Sequence, residues 1–309
     1  MPSAINKYLI LIVGPTAVGK TALCVRLAKL LNTEIISADS RQFYQELSIG
    51  TAKPSNDEMD GVMHHFIDSH SISAYYSAGD FERDAVRLLE EDIFQRKDVA
   101  IMTGGSGLFI KALTDGLDEM PEAPLGLREE LMQRLSNEGV DVLAEALKVL
   151  DPIYYETVDL QNSQRVVRAL EVCLSTGKPF SEFHKKEKVK RSFQVIKIGI
   201  ERPREELYER INQRMDIMLA EGLMEEVKGL MDYRHHNALQ TVGYKEVFEY
   251  LDGKYDYKMM VELLKRNSRR YAKRQLTWFK NQDDFKWFEA NDFEGITQFI
   301  GDSGIDLAS

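Results

Sequence analysis

The sequence predicts an α/β fold in which a parallel-sheet core is interrupted by an all-α insertion and followed by a helical C-terminal region. Three observations predict this class. The apolar run at residues 8–13 is typical of a strand buried on both faces of a parallel sheet. Directly after it, residues 14–21 fit the pattern G-x-x-x-x-G-K-[ST] at all four fixed positions. Residues 127–150 and 162–174 have helical periodicity with no strand between them. The core is therefore expected to be P-loop NTPase-like.

The loop after the first strand has the composition of a phosphate-binding P-loop, which is typical of nucleotide-binding and ATP-binding proteins. Its two fixed glycines allow close approach of backbone N–H groups to an anion, and the helix predicted at residues 21–31 adds the positive end of its dipole. Lys20 supplies a full charge, and the Thr21 hydroxyl is a candidate Mg²⁺ ligand. A chance glycine-rich turn is the alternative. The expected phosphate-binding residues are Gly14, Pro15, Thr16, Ala17, Val18, Gly19, Lys20 and Thr21.

Two further strands are expected to end beside this loop. Ile35-Ile36 fits the second strand of a βαβ unit, and residues 99–102 form another apolar run. Ligands of open parallel sheets bind at the carboxyl ends of the strands, so Asp39 would face the phosphate compound. A structural role for Asp39 in a turn is the alternative. The strand at 99–102 does not end in Asp, so a common Mg²⁺-holding carboxylate of P-loop hydrolases is missing.

The middle of the chain changes composition. Acidic residues and prolines between residues 115 and 127 indicate a linker, and the helices that follow form the insertion. Residues 195–200 resume the sheet. We assign residues 1–117 and 192–309 to the catalytic core with its basic C-terminal helices, and residues 118–191 to a helical insertion domain.

The C-terminal region is predicted to contain helices at residues 204–218, 221–231, 244–251 and 257–279, a short strand at 285–288 and a poorly specified tail. The last helix has a seam at spacings of three and four, with cations off the seam. The seam residues are Val261, Leu264, Ser268, Tyr271, Gln275 and Trp278. The cations are Arg266, Arg269, Arg270, Lys273 and Arg274.

The charge distribution keeps a polyanionic partner possible. The net charge is −10, yet residues 258–280 contain eight basic residues and one acid, and residues 185–191 form a second basic cluster. A solvated helix face is the alternative. The adjacent His64 and His65 diverge on any regular element, which argues against a metal site. With no apolar run of about 18 residues, no leader pattern and only two cysteines, we expect a cytoplasmic protein with free thiols and no membrane segment.

Nine segments, in order along nearly the whole chain, resemble the tRNA dimethylallyltransferase family, also called tRNA isopentenyltransferases. The chain lacks a C-terminal C-x₂-C or H-x₃₋₅-H pair, so it resembles the bacterial type rather than the eukaryotic relatives that carry a zinc finger. The segments are GPTAVGKT (14–21), SADSRQFY (37–44), IGTAKP (49–54), HHFID (64–68), GGSGLF (104–109), QRVVRALE (164–171), QRM (213–215), VGYK (242–245) and AKRQLTW (272–278).

The resemblance implies transfer of a dimethylallyl group from dimethylallyl diphosphate to the exocyclic N6 amine of the adenine 3′ to the tRNA anticodon. It implies Mg²⁺ as cofactor and three catalytic residues: Asp39 as the base, Thr21 as the metal ligand and Arg214 as a diphosphate ligand. It also implies that the insertion grips the anticodon stem-loop. Ser106 and Lys245 stand where the family more often has Thr and Arg. The implied tRNA-binding residues are Asp39, Ser40, Arg41, Gln42, Ser106, Leu127, Gln164, Arg165, Arg168, Gln240, Gly243, Lys245, Lys273, Arg274 and Gln275.

The sequence is also compatible with three other functions. A P-loop kinase for a small metabolite or nucleoside, with Asp39 as base, explains the loop and the carboxylate but not the basic helix. A prenyltransferase that acts on a free adenine nucleotide needs no large basic surface. A non-catalytic RNA-binding protein with a relic nucleotide site would tolerate Asp39→Ala. Nothing in the sequence indicates a coiled coil, and we expect a monomer.

Overall fold

A computed structural model of the chain describes residues 7–74, 76–118, 120–121, 123–184, 188–282 and 284–307. It divides into two compact units, Met1–Thr114 with Lys190–Ser309, and Asp115–Val189. The sequence analysis placed the corresponding boundaries at residues 118 and 191. Part of the predicted linker (Glu119, Glu122) and part of the predicted basic cluster (Lys185, Lys186, Glu187) lie outside the described residues.

The larger unit is built on one six-stranded sheet whose strands are all parallel, in the order β3-β2-β4-β1-β5-β6. The predicted α/β class is confirmed. The central strand β1 is flanked on both sides, with Ile10 opposite Ile101 and Ile196. Residues 9–13 are fully buried, as expected for an apolar strand covered on both faces. The strands are β1 (Tyr8–Val13), β2 (Ile35–Ser37), β3 (His64–His65), β4 (Val99–Gly104), β5 (Gln194–Glu201) and β6 (Lys286–Glu289).

Helices cover both faces of this sheet. Helix α3 runs through a π-helical turn, Leu89–Ile93, into α4, where the sequence predicts one helix over residues 78–94. The helices before the insertion are α1 (Lys20–Leu30), α2 (Asn56–Met59), α3 (Ala78–Leu88), α4 (Phe94–Arg96) and α5 (Gly107–Asp115).

The smaller unit is helical throughout its described residues. Its core contains Leu131, Leu143, Leu147, Val166 and Leu170. Gly139, with φ of 87°, ends the first helix and separates it from the second, where the sequence predicts helix through residues 127–150. The helices are α6 (Leu127–Glu138), α7 (Val140–Leu150), α8 (Pro152–Tyr155) and α9 (Ser163–Thr176).

The C-terminal part of the larger unit ends in a helix that the sequence analysis missed. The tail forms α14, whose Ile296 and Ile300 are buried in the sheet core. The helices of this part are α10 (Arg204–Ala220), α11 (Leu223–Gly229), α12 (Tyr244–Leu251), α13 (Tyr257–Lys280) and α14 (Phe293–Asp302).

The long helix α13 packs with one face against the larger unit, as predicted. The residues that are buried on this face only partly coincide with the predicted seam. Met260, Ala272 and Phe279 are buried, whereas Val261, Tyr271 and Trp278 are half-buried. Arg266, Arg270, Lys273 and Arg274 are exposed. No helix in the described ranges is both long and apolar enough to cross a membrane.

Candidate active site

The carboxyl ends of the central strands open into a cavity of about 1020 Å³. Its walls include the loop after β1, the turn after β2 and the end of β4. The segment of residues 48–55 and side chains from α10 and α13 complete it. Asp39, two residues past β2, lines the same cavity as Lys20 and Thr21. This is the crevice in which ligands of open α/β sheets bind.

The conformation of the loop after β1 explains its glycines. Gly19 has φ of 109°, which favours glycine, and precedes the first turn of α1. At Gly14 a Cβ would lie 2.6 Å from the Ile200 carbonyl oxygen, so only glycine fits against β5. Lys20 Nζ donates to the carbonyl oxygens of Gly14 and Pro15, both at 2.9 Å. Burial, and next the charge of Arg214, lower the pKa of Lys20 to about 8, while Asp39 opposes this shift.

Three arginines contact the loop: Arg202, which directly follows β5, and Arg210 and Arg214 of α10. Arg214 Nη1 donates to Thr16 Oγ1 at 3.1 Å, Arg210 Nε to the Ala17 oxygen at 2.8 Å and Arg202 Nε to the Val18 oxygen at 2.8 Å. Burial lowers the pKa of Arg214, and the Asp39 carboxylate counteracts this. The sequence analysis named Arg214 but gave no role to Arg202 or Arg210. Arg210 could have been found, because a residue four positions before Arg214 lies on the same face of a helix.

Asp39 has one oxygen bonded and one available. Its Oδ1 accepts the Arg41 N–H at 3.0 Å, while Oδ2 accepts no hydrogen bond from the described residues. Tyr271, which the sequence analysis treated as a packing residue, also lines the cavity. Burial and then the charge of Asp39 raise the pKa of Tyr271 to about 12, so it stays protonated near neutral pH.

The turn after β2 is tied to the turn after β4. The Ser40 N–H donates to Ser106 Oγ at 2.9 Å, and Ser106 Oγ donates to Ser40 Oγ at 3.0 Å. Ser106 thus supplies a hydroxyl at the position where the family more often has Thr.

Two predicted tRNA contacts are engaged in internal hydrogen bonds. Gln275 is only 7% exposed, accepts the Thr16 N–H at 2.9 Å and donates to the Gly105 oxygen at 3.1 Å. Gln42 Nε2 donates to the oxygens of Thr51 and Ala52 at 3.2 and 3.1 Å. Both amides therefore organise the cavity walls.

Four other predicted tRNA contacts of the larger unit lie on its surface, and a fifth, Gly243, is buried. Lys245, Lys273 and Arg274 are exposed, as is Gln240, whose amide donates to the Arg234 oxygen at 2.7 Å. Gly243 is buried with φ of 103°, and its N–H is accepted by Glu246 at 2.9 Å.

In the smaller unit, Gln164 and Arg165 on α9 are exposed, while Leu127 and Arg168 are half-buried. The buried Glu171 carboxylate accepts both the Arg128 guanidinium, at 3.0 Å, and the Arg168 guanidinium, at 3.3 Å. Arg128 also donates to Gln164 Oε1 at 3.0 Å, which the sequence analysis did not anticipate.

The donor set near Lys20 fits a Mg²⁺ ion that shares phosphate oxygens. The Thr21 hydroxyl lines the cavity and makes no hydrogen bond within the described residues. In the described part of the chain no three His, Cys, Asp or Glu residues could together hold a metal. Mg²⁺ commonly takes few protein ligands and completes its coordination shell with phosphate oxygens and water. The Thr21 hydroxyl could therefore serve as a protein ligand of such an ion.

The two neighbouring histidines have other partners. His65 Nε2 lies 2.8 Å from Glu34 Oε2, and His64 Nδ1 lies 2.9 Å from the Val62 oxygen. They form the short edge strand β3, which the sequence analysis did not predict.

Fold and loop together define the class, which is that of P-loop α/β proteins with a helical insertion. The family model described as IPP transferase matches residues 42–282. A tRNA dimethylallyltransferase of Cytophaga hutchinsonii is 52% identical, with 96% of this chain and 98% of the relative covered. One of Christiangramia forsetii is 51% identical, with 92% and 94% covered.

Solved structures agree with this result. The full-length tRNA isopentenylpyrophosphate transferase of Bacillus halodurans is 40% identical with a TM-score of 0.70, and 96% of each chain is covered. A eukaryotic dimethylallyltransferase, described as acting on tRNA, is 28% identical with a TM-score of 0.77. There, 97% of this chain and 78% of the other are covered. The chain belongs to the IPP transferase family.

Proposed function

We propose that this chain is a tRNA dimethylallyltransferase, which transfers the dimethylallyl group of dimethylallyl diphosphate to the N6 amine of the adenine 3′ to the anticodon. One observation carries the proposal: the P-loop with Lys20 and Arg214 lines the same cavity as Asp39, whose Oδ2 accepts no hydrogen bond from the described residues. The relatives named above are prenyl transferases, which favours this function over the kinase alternative.

The chemistry follows from these groups. The amine nitrogen forms a bond to C1 of the dimethylallyl group as the C1–O bond breaks, and the bond electrons leave with the diphosphate oxygen. Lys20, Arg214 and the loop N–H groups are placed to stabilise that charge. Asp39 Oδ2 accepts the proton that the amine loses, and holds the amine in line for attack. Mg²⁺, held by the Thr21 hydroxyl and the phosphates, would add further positive charge at the leaving group.

The adenine must leave its stack to enter the cavity, at a cost of a few kcal/mol. We propose that the exposed cations of α13, above all Lys273 and Arg274, offset this cost by binding RNA phosphates. Gln164, Arg165 and Arg168 of α9 would contribute from the insertion. We further propose that the protein acts as a cytoplasmic monomer.

The test is incubation with radiolabelled dimethylallyl diphosphate and unmodified tRNA, with and without Mg²⁺. We expect label in tRNA at the adenine 3′ to the anticodon, dependent on Mg²⁺. Label in AMP alone would favour the free-nucleotide prenyltransferase. ATP consumption without tRNA would favour the kinase. RNA binding without any label transfer would favour the non-catalytic protein.

A further inference from the structure

One wall of the cavity, residues 48–52, depends on a carboxylate from α11. Glu226 Oε2 accepts the N–H groups of Ser48 at 3.0 Å and Ile49 at 2.7 Å, and Oε1 accepts that of Gly50 at 3.0 Å. Three consecutive N–H groups that converge on one anion form a nest. Hydrogen bonds to an ionised acceptor are stronger than neutral ones, so this carboxylate fixes the backbone of the segment.

Tyr244 completes the environment of Glu226. Its O–H donates to Glu226 Oε1 at 2.6 Å, and its buried ring lies where a Cβ on Gly50 would be 2.5 Å from Cζ. Burial, and then the Glu226 charge, raise the pKa of Tyr244, so the phenol remains a donor. Four donors use all the lone-pair positions of the carboxylate. Glu226 is therefore unsuited to act as a base.

The same segment fixes the side chain of Gln42, which also lines the cavity. The oxygens of Thr51 and Ala52 accept both hydrogen bonds of the Gln42 amide nitrogen, and Gln42 Oε1 accepts the Ser37 hydroxyl at 3.2 Å. Gln42 lies three residues after Asp39 in the chain and lines the same cavity. Hydrogen bonds at both ends of the segment, joined by its backbone, thus connect Glu226 with Gln42.

We propose that Glu226 is a positioning residue for the nucleobase: through residues 48–52 and Gln42 it fixes the wall against which the RNA base is held. This inference rests on the proposed function. The anion cradle is fixed by other groups, Lys20, Arg202 and Arg210. Loss of Glu226 should therefore impair use of the RNA substrate and leave diphosphate binding intact.

The experiment compares Glu226→Gln with the wild type in steady-state prenyl transfer. The amide that this substitution introduces keeps one acceptor oxygen, but its own N–H groups lie against the backbone N–H groups of residues 48–50. We expect kcat/KM for tRNA to fall about tenfold to a hundredfold, the range for loss of charge-assisted hydrogen bonds. The inhibition constant of inorganic diphosphate should stay within about twofold, since the cradle keeps its own charge-assisted hydrogen bonds. Glu226→Asp keeps the charge but has a side chain one methylene shorter. Its kcat/KM for tRNA should lie between the values of the wild type and of Glu226→Gln.

Glu225→Gln is the matched control, because Glu225 is exposed on the same helix and, among the described residues, forms an ion pair only with Lys228, at 3.8 Å. It should behave as wild type. Unchanged kcat/KM for tRNA in Glu226→Gln would overturn the proposal. So would an equal loss of diphosphate affinity, which would mean that the whole cavity had collapsed.

Hydrogen exchange gives a second test if Glu226→Gln does not fold. Tyr244→Phe removes one donor and keeps the ring, and we expect faster exchange at the amides of residues 48–50 with a lower kcat/KM for tRNA. Unchanged exchange and kinetics would overturn the proposal. Failure of the wild-type protein to transfer any prenyl group would contradict the proposed function instead, and amide exchange would then decide the role of Glu226.

Discussion

At the scale of single residues, Asp39 is the group to which we assign the proton transfer. It lines the cavity together with Lys20 and Arg214, and its negative charge acts on both of these cations. We propose that this carboxylate accepts the proton of the amine, while other residues bind the RNA phosphates.

Asp39→Ala should lower kcat by a factor on the order of 10² to 10⁴, the usual contribution of a positioned base. The affinity for tRNA should remain near normal, as measured by filter binding. Asp39→Asn, which keeps the shape, should be equally impaired in kcat. A variant at this position with full prenyl transfer would exclude Asp39 as the base.

Lys20 makes a second prediction, on pH. Its pKa is lowered to about 8, so the protein without bound anion loses the ammonium charge as the pH rises through that value. A bound diphosphate would favour the charged form and raise the pKa again. Diphosphate affinity measured by calorimetry should therefore fall above about pH 8, with proton uptake on binding. Lys20→Met should bind more weakly and show no such dependence; a retained dependence would contradict the assignment.

The residues of the cradle and Asp39 could be predicted because the motif and the strand order bring them together. Glu226 and Arg202 could not be predicted in their roles, since each contacts a segment more than 170 positions away in the sequence. Only the tertiary structure establishes such pairs.

At the scale of elements, α13 has two different faces, one packed in the larger unit and one exposed. Its buried seam contacts the P-loop through Gln275, while Lys273 and Arg274 are exposed. Periodicity predicted this division of faces well. It missed the extent of burial around Tyr271, because the side of a helix that faces a cavity is neither fully packed nor fully solvated.

Lys273→Ala and Arg274→Ala should each weaken tRNA binding, and each should reduce the slope of log affinity against log salt by about 1. Diphosphate affinity should barely change. Lys258→Ala is the control, because Lys258 is exposed on the first turn of the same helix. A loss of diphosphate affinity as large as the loss of tRNA affinity would contradict the assignment of this face.

Two elements were missed, for different reasons. The two-residue strand β3 has too few residues for any pattern, and its structure depends on pairing with β2. Helix α14 has apolar residues at helical spacing (Phe293, Ile296, Phe299 and Ile300), so its periodicity could have been recognised.

At the scale of the whole molecule, an acidic chain carries segregated cations on one helix of its larger unit and on α9 of its smaller unit. The α/β class and the helical insertion were predictable, because long apolar runs and long periodic segments are strong signals. The hydrogen-bond network that shapes the cavity was not, since it joins loops to side chains of helices that are distant in the sequence.

The most direct measurement is a crystal structure of the protein with a slowly reacting thio-analogue of dimethylallyl diphosphate and an unmodified anticodon stem-loop. We expect the diphosphate on residues 14–21 and Arg214, and the adenine N6 within about 3 Å of Asp39, as a hydrogen bond requires. A nucleoside triphosphate preferred in the cradle, or an adenine that stays stacked in its loop away from Asp39, would contradict the account.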